Sequence, residues 1–331
     1  MTTQTRWGIL STANIGRKRV IPAIQKSHNG VVQAVASRNK ARAESFAQEL
    51  DIPTVHDDYE ALLADPQVDA IYIPLPNSMH AEWCFKAAEA GKPVLCEKPL
   101  AIDADQAQQM VDAFAGRNLL FAEAFMYRFH PQHQRVHEII ASGGIGQLQV
   151  INATFSFSIS DANNIRLNKD LAGGALMDVG CYCVNAMRWL TGEEPQQAQA
   201  FADFGASTGV DETITGLLQF SSGVYGHFDA SLRVHRHHQY ELRGTQGRIL
   251  VETAFVPDLS PGAVTTVHHW RGNEYNEIRV PTQDQYQLMV EDFADALQTG
   301  AEVRYPSQDA VQNMRAIDML ITSARLNAGQ S

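Results

Sequence analysis

Two short stretches hold residue types whose spacing could do chemistry. In VLCEKPLAIDA, residues 94–104, three apolar or small residues end a buried strand and are followed by Glu97, Lys98 and Pro99. An ammonium held at a strand end can stabilise negative charge growing on an oxygen. Pro99 biases Lys98 away from helical geometry. The same residues also read as a loop-end ion pair. In AGGALMDVGCYCVNAMRWLTG, Leu176, Val179, Cys183, Met187 and Leu190 recur at helical spacing, and Asp178 stands four residues before Tyr182. The spacing predicts an amphipathic helix with carboxylate and phenol on one face. A phenol has an ordinary pKa near ~10, so it needs a nearby cation to act as a base at neutral pH. A core tyrosine with a satisfied hydroxyl is the other reading. Gly180 costs roughly 1 kcal/mol against alanine inside a helix, which a closely approaching ligand or backbone would explain.

The elements that must position these residues follow from patterning. Strand candidates at 7–10, 31–37, 54–55, 68–73, 94–96 and 119–122 alternate with helical stretches near 15–27, 40–50, 57–64, 78–90 and 103–115. That alternation predicts βαβ units and a doubly wound parallel sheet over residues 1–122. Pro22 should kink the first helix or begin a second segment. From residue 123 to 331 the texture is different. HPQHQRVHEIIASGGIG reads as a helix closed by glycines. LQVINATFSFSI, DETITGLLQF, GVYGHFDASLRV and YELRGTQGRILVE read as strands of an open, mostly antiparallel mixed sheet. Two helices close the chain, one ending at Gly300 and one opening at Ser307. The expectation is α/β throughout: a Rossmann domain, then an α/β domain.

WGILSTANIGRKRV is strand, turn, helix. A dinucleotide fingerprint uses three small residues so that the pyrophosphate can approach the helix N-terminus. Here Ser11, Ala13 and Gly16 occupy those positions, with Asn14 and Ile15 opening the helix. An ordinary tight turn fits this stretch equally well. The second strand ends in Ser37, Arg38 and Asn39, where an NAD site usually carries an acid for the ribose hydroxyls. Serine and arginine suit a 2′-phosphate instead, which favours NADP over NAD. IPLPNSMH leaves the fourth strand at its carboxyl end, where open sheets bind ligands, and adds Pro74, Asn77 and His80 to the candidates.

GILSTANIG, PLPNSMH, GKPVLCEKPLA, GGALMDVGCYCVNAMRWL and EAFMYRFHPQ together resemble the Gfo/Idh/MocA oxidoreductases, from residue 6 over essentially the whole chain. The branch most similar in look holds the NADP-dependent aldose (D-xylose) and dihydrodiol dehydrogenases and glucose–fructose oxidoreductase. The resemblance implies hydride transfer between NADP and a sugar, polyol or diol. It implies Lys98 as the cation beside the nicotinamide, after a frequently cis Lys–Pro bond, and Tyr182 as the proton acceptor tuned by Lys98. Asp178 would position substrate or cofactor ribose, and Glu97 would orient the loop or hold cofactor. Arg128 would help enclose the nicotinamide end. From its place in NNIRLNKDLAGG, Arg166 would reach a substrate oxygen or a carboxylate, although a surface ion pair suits it equally. A homodimer or homotetramer through the second sheet is also implied. The family includes a non-catalytic NADP-binding regulator of galactose genes, but retained Lys98 and Tyr182 weigh against that reading. A trans-dihydrodiol dehydrogenase is the alternative enzyme.

Composition narrows the partners. A formal charge of −11 over 331 residues disfavours nucleic acid and anionic membranes. No apolar run approaches the ~18–20 residues of a membrane span. MTTQTRWGIL lacks an apolar signal core, so a cytoplasmic location is expected. The four cysteines read as buried thiols. His235, His237 and His238 are tempting as metal ligands, but no third group stands at a recognisable spacing, so no metal is expected.

Overall fold

Short apolar runs separated by helices can bury both faces of a parallel sheet, and they do so here. The structure, a computed structural model, describes residues 4–329. Its first part runs β1 (Thr5–Leu10), α1 (Ile21–Lys26), β2 (Gly30–Ala36), α2 (Lys40–Glu49), β3 (Thr54–His56), α3 (Tyr59–Leu63), β4 (Ala70–Ile73), α4 (His80–Glu89), β5 (Val94–Cys96), α5 (Ala104–Ala115) and β6 (Phe121–Glu123). All six strands pair in parallel in the order β3-β2-β1-β4-β5-β6. This is the Rossmann order, and its direction of winding reverses between β1 and β4. Every residue of β4 and β5 is buried, which is why their sequences show no polar alternation. Asn39, Asp58 and Asp103 cap α2, α3 and α5 through their side-chain oxygens. Before α1, Gly16–Val20 forms a π-turn, and α1 then starts with Pro22 in its first turn. Pro22 therefore stands where the π-helical turn gives way to α1 within one continuous helical run.

The second part runs α6 (Pro131–Ala141), β7 (Leu148–Ser156), α7 (Cys181–Thr191), β8 (Pro195–Phe204), β9 (Asp211–Phe220), β10 (Tyr225–Ser231), β11 (His237–Gly244), β12 (Gly247–Val251), β13 (Val264–Arg271), β14 (Glu274–Pro281), α8 (Gln285–Thr299) and α9 (Gln308–Asn327). Its eight-stranded sheet has the order β14-β13-β12-β11-β7-β10-β9-β8, antiparallel except for the β7–β10 pair. Ile151, Ala153, Phe155, Ile214, Leu218, Phe228, Ala230, Tyr240 and Leu242 are buried on one face, under helices that include α7. The opposite face exposes Phe201, Leu217 and Tyr225.

Three strands were not expected: β8, β13 and β14. PQQAQAFADF is rich in Ala and Gln, weak strand formers, and the β13–β14 hairpin carries many charged and polar residues. The domain boundary also differs from 122/123. One unit runs to Phe129 and takes back Asp284–Val311; the other is His130–Gln283 with the chain from Gln312. The return has a packing cause. Phe293 of α8 meets Trp7 of β1 with ring centroids 5.2 Å apart. Asn29 Nδ2 donates to Asp295 Oδ1 at 2.6 Å, and Gln298 Nε2 donates to the Asn29 carbonyl at 3.1 Å. Among the described residues no helix is long and apolar enough to cross a membrane.

Candidate active site

The candidate residues fall in both units, and each set has its own geometry. In the first unit they lie at the carboxyl ends of β1, β2, β4 and β5, with Arg128 beyond β6. Ser11 adopts φ +119°, a conformation ordinarily left to glycine, so the fingerprint turn keeps its shape without its first glycine. The hydroxyl sustains the turn: Ser11 Oγ accepts from Ala13 N at 3.3 Å and donates to the Pro74 carbonyl at 3.4 Å. The helix that opens at Asn14 leaves its leading N–H groups without intrahelical partners, as every helix does, and these suit a pyrophosphate. The turn and its donors therefore fit a dinucleotide.

At the end of β2, Ser37 is buried and its Oγ accepts from Asn39 N at 3.3 Å. Arg38 is exposed beside it. Arg42, which no motif marks, reaches back from α2 to donate from Nη2 to the Thr12 carbonyl at 3.4 Å. Arg42 thus borders the turn, while the Arg38 side chain meets Tyr59 at the end of β2; both are guanidinium groups of the kind a 2′-phosphate needs. The available signal was the spacing of Arg38 and Arg42, four apart at a helix start.

Lys98 sits in a segment anchored at three neighbouring residues. The fully buried Tyr72 donates its phenol to Glu97 Oε1 at 2.6 Å, and burial together with the Glu97 charge pushes the phenol pKa well up. Leu100 N donates to Glu123 Oε1 at 2.8 Å. The Pro99 carbonyl lies 3.1 Å from His80 Nδ1, and the Leu75 carbonyl lies 2.9 Å from His80 Nε2. The Lys98–Pro99 bond is cis. His80, a cofactor candidate, is fully buried with a backbone carbonyl at each ring nitrogen, so it ties the β4 loop to the β5 loop. Burial depresses its pKa, opposed by those carbonyls. Asn77 opens a 3₁₀ turn in the β4 loop. Arg128 was also expected at the cofactor. Its guanidinium pairs with Asp309 and lies 3.8 Å over the Tyr305 ring, and Tyr305 Oη donates to the Arg128 carbonyl at 2.9 Å. It holds the returning segment.

In the second unit, Asp178 and Tyr182 lie on one continuous helix, as the periodicity predicts. Its first turn, Leu176–Gly180, is π-helical and leads into α7. Single π-turns recur at functional sites. The Gly180 cost has a packing cause: a Cβ there would stand 3.3 Å from Ala230 Cβ of β10 and 3.0 Å from Leu176 Cδ1. Tyr182 is 5% exposed, with its ring centroid 5.3 Å from Phe155 and 5.5 Å from Phe255. Arg166 Nε donates to Asp178 Oδ2 at 2.7 Å, so two candidates proposed separately are joined. Arg166 is 41% exposed and Asp178 is 13% exposed. Asp211, which no sequence pattern marked, accepts from Leu176 N at 2.6 Å. Burial raises its pKa to about 7, against those amide contacts. His238 is buried on β11, whereas His235 and His237 are exposed. Among the described residues no group of three or more His, Cys, Asp and Glu could hold a metal ion. The four cysteines are free and buried.

A six-stranded Rossmann unit with a fingerprint turn, joined to a unit built on an open mixed sheet, defines a nicotinamide-nucleotide oxidoreductase architecture. The family model for an oxidoreductase family with an NAD-binding Rossmann fold matches residues 5–125, and that for the GFO/IDH/MocA C-terminal domain matches residues 133–250. The chain belongs to the Gfo/Idh/MocA oxidoreductase family. It is 42% identical to D-xylose 1-dehydrogenase (NADP(+)) 2 of Haloferax volcanii, over 97% of this chain and 98% of that one. It is 34% identical to trans-1,2-dihydrobenzene-1,2-diol dehydrogenase of Mus musculus over 76% of each chain. The crystal structure of KijD10, a 3-ketoreductase from Actinomadura kijaniata in complex with NADP and TDP-benzene, superposes with a TM-score of 0.93. The identity there is 31%, over 97% of this chain and 98% of that one.

Proposed function

We propose that this protein is an NADP-dependent oxidoreductase of sugars or polyols, acting on a CH–OH group or the corresponding carbonyl. The observation that carries the reading is the anchored Glu97–Lys98–Pro99–Leu100 segment at the carboxyl end of β5, in a unit whose turn fits a dinucleotide. Bound NADP supplies the hydride acceptor or donor at its nicotinamide. Arg38 and Arg42 hold the 2′-phosphate, and Ser37 donates to it. The turn from Ser11 to Ile15 receives the pyrophosphate, with Pro74 and Asn77 bordering the same strand ends.

Tyr182 takes the proton of the substrate hydroxyl during oxidation and returns it during reduction. Lys98 stabilises the negative charge that develops on the substrate oxygen. Asp178, oriented by Arg166, accepts from a second substrate hydroxyl. Phe155 and Phe255 beside Tyr182 also suit an aromatic diol, which keeps a dihydrodiol dehydrogenase as the second reading. We further propose that copies associate through the sheet face exposing Phe201, Leu217 and Tyr225. A cytoplasmic location is consistent with the four free cysteines.

The test is NADP⁺ reduction at 340 nm across aldoses, polyols and aromatic diols, with Lys98→Met as control. Turnover with a sugar or polyol, lost in Lys98→Met while NADPH binding persists, is expected. Tight NADPH binding with no turnover on any compound would refute the enzyme reading. A Lys98→Met variant keeping a tenth of kcat would remove Lys98 from the chemistry.

A further inference from the structure

The helix carrying Asp178 and Tyr182 begins without a side chain to cap it. Gly174 precedes it and its carbonyl accepts from Asp178 N at 3.0 Å, so it occupies the capping position yet has no side-chain oxygen to offer the free amides. Asp211, at the start of β9, supplies that oxygen from a different element. Its Oδ2 accepts from Leu176 N at 2.6 Å, and the Ala175 amide also interacts with it. The two positions are matched sterically. Gly174 has φ +121°, and a Cβ there would lie 2.1 Å from Asp211 Oδ1. The carboxylate therefore occupies the space that any other residue at 174 would need. Asp211 is 3% exposed, and no step proposed above uses it.

The cap also fixes the loop that carries Arg166. Gly174 N donates to the Arg166 carbonyl at 2.8 Å, and a Cβ on Gly173 would meet that oxygen at 2.3 Å. Arg166 in turn orients Asp178. One contact point thus determines where the helix starts, how far it advances along its axis, and where the Arg166 loop lies against it. Displacement by a few tenths of an ångström would move the phenol and the carboxylate together, and catalytic rates are sensitive to misplacement of that order.

We infer that Asp211 is a positioning residue for the oxidoreductase reaction: from β9 it caps the helix that presents Asp178 and Tyr182 and sets their placement. This rests on the proposed roles of Tyr182 and Asp178. It does not require the Asp211 charge, because any acceptor oxygen at the same place makes the contact.

The experiment compares Asp211→Asn, Asp211→Ala and Gly174→Ala with wild type, using NADPH and the best sugar from the panel. Asp211→Asn keeps an acceptor oxygen and should retain kcat within about threefold, in the manner of a conserved hydrogen bond. Asp211→Ala should lose kcat by about tenfold or more. NADPH affinity, set in the other unit, should stay within twofold of wild type. Gly174→Ala displaces the same carboxylate without removing it and should reproduce the kcat loss; it stands in if Asp211→Ala does not fold. Tyr182→Phe is run alongside. If Tyr182→Phe is slow but Asp211→Ala and Gly174→Ala keep kcat within threefold, the positioning role is overturned. If Asp211→Asn is as slow as Asp211→Ala, the acceptor-oxygen account is overturned. If Tyr182→Phe itself is fully active, the functional reading fails first.

Discussion

Acid should unfold the second unit through three buried imidazoles. His133 on α6 is fully buried; its Nε2 lies 2.9 Å from the Ala254 carbonyl, which can only accept, and its Nδ1 lies 2.7 Å from Tyr240 Oη. One neutral tautomer satisfies both contacts. Burial first, then the His130 charge, lowers this pKa to about 3. Burial lowers His130, whose Nδ1 accepts from Gln132 N as the α6 cap, to about 4. His238 is also lowered to about 4, by burial and then by Arg236 and His237.

Each group binds a proton more weakly folded than unfolded. Its contribution is therefore intact near neutrality and is lost as pH falls below the unfolded value of ~6.5. At pH 5 each imidazole costs about 2 kcal/mol, or about 6 kcal/mol for all three. Asp211 acts in the opposite sense. Its raised pKa means the folded state gains protons first, returning about 2 kcal/mol between pH 7 and pH 5. The net loss over that interval is about 3–4 kcal/mol, a large share of a typical stability of ~5–15 kcal/mol. Urea unfolding at pH 7 and pH 5, followed by circular dichroism and tryptophan fluorescence, measures it directly. An unfolding free energy that changes by less than about 1 kcal/mol would refute the reasoning.

Three further outcomes are expected. Replacing both Arg38 and Arg42 by alanine should weaken NADP⁺ binding by about 3–6 kcal/mol, from charge-assisted bonds of ~1.5–3 kcal/mol each, and leave NAD⁺ binding nearly unchanged; titration with both nucleotides reads this. Tyr182→Phe should lower kcat by about 10²–10⁴ with little change in NADPH affinity, by steady-state kinetics and fluorescence titration. Tyr72→Phe removes the anchor of Glu97 while preserving the buried ring. It should cost about 1–3 kcal/mol of stability and reduce kcat, measured by thermal melting and turnover; an unchanged kcat would show that Lys98 is held by its other two anchors alone.

Much of the fold could be read because its signals were local. Val94–Cys96 shows as a strand because a fully buried strand has no polar residues to blur it. The Asp178–Tyr182 helix shows because Leu176, Val179 and Cys183 mark its buried stripe. The hidden parts depend on distant partners. Nothing near Asp211 signals that its oxygen caps a helix thirty-five positions earlier. Tyr72 reads as one more core aromatic until Glu97 is placed beside it. His80 and Arg128 are the converse: polar residues next to a motif, whose contacts with backbone carbonyls and with Asp309 no local pattern announces. The strand β8 escaped because Ala and Gln pack on a sheet without announcing it.

The return of Asp284–Val311 to the first unit has a consequence for how the protein is made. Trp7 and Asn29 emerge from the ribosome early, but Phe293 and Asp295 are added only after the whole second sheet has been synthesised. Until then the nucleotide-binding unit lacks a helix over part of its core. A gene cut at residue 122 would therefore encode a sheet with Trp7 uncovered, whereas a version in which residues 284–311 are spliced onto Phe129 through a short linker should fold and bind nucleotide by itself.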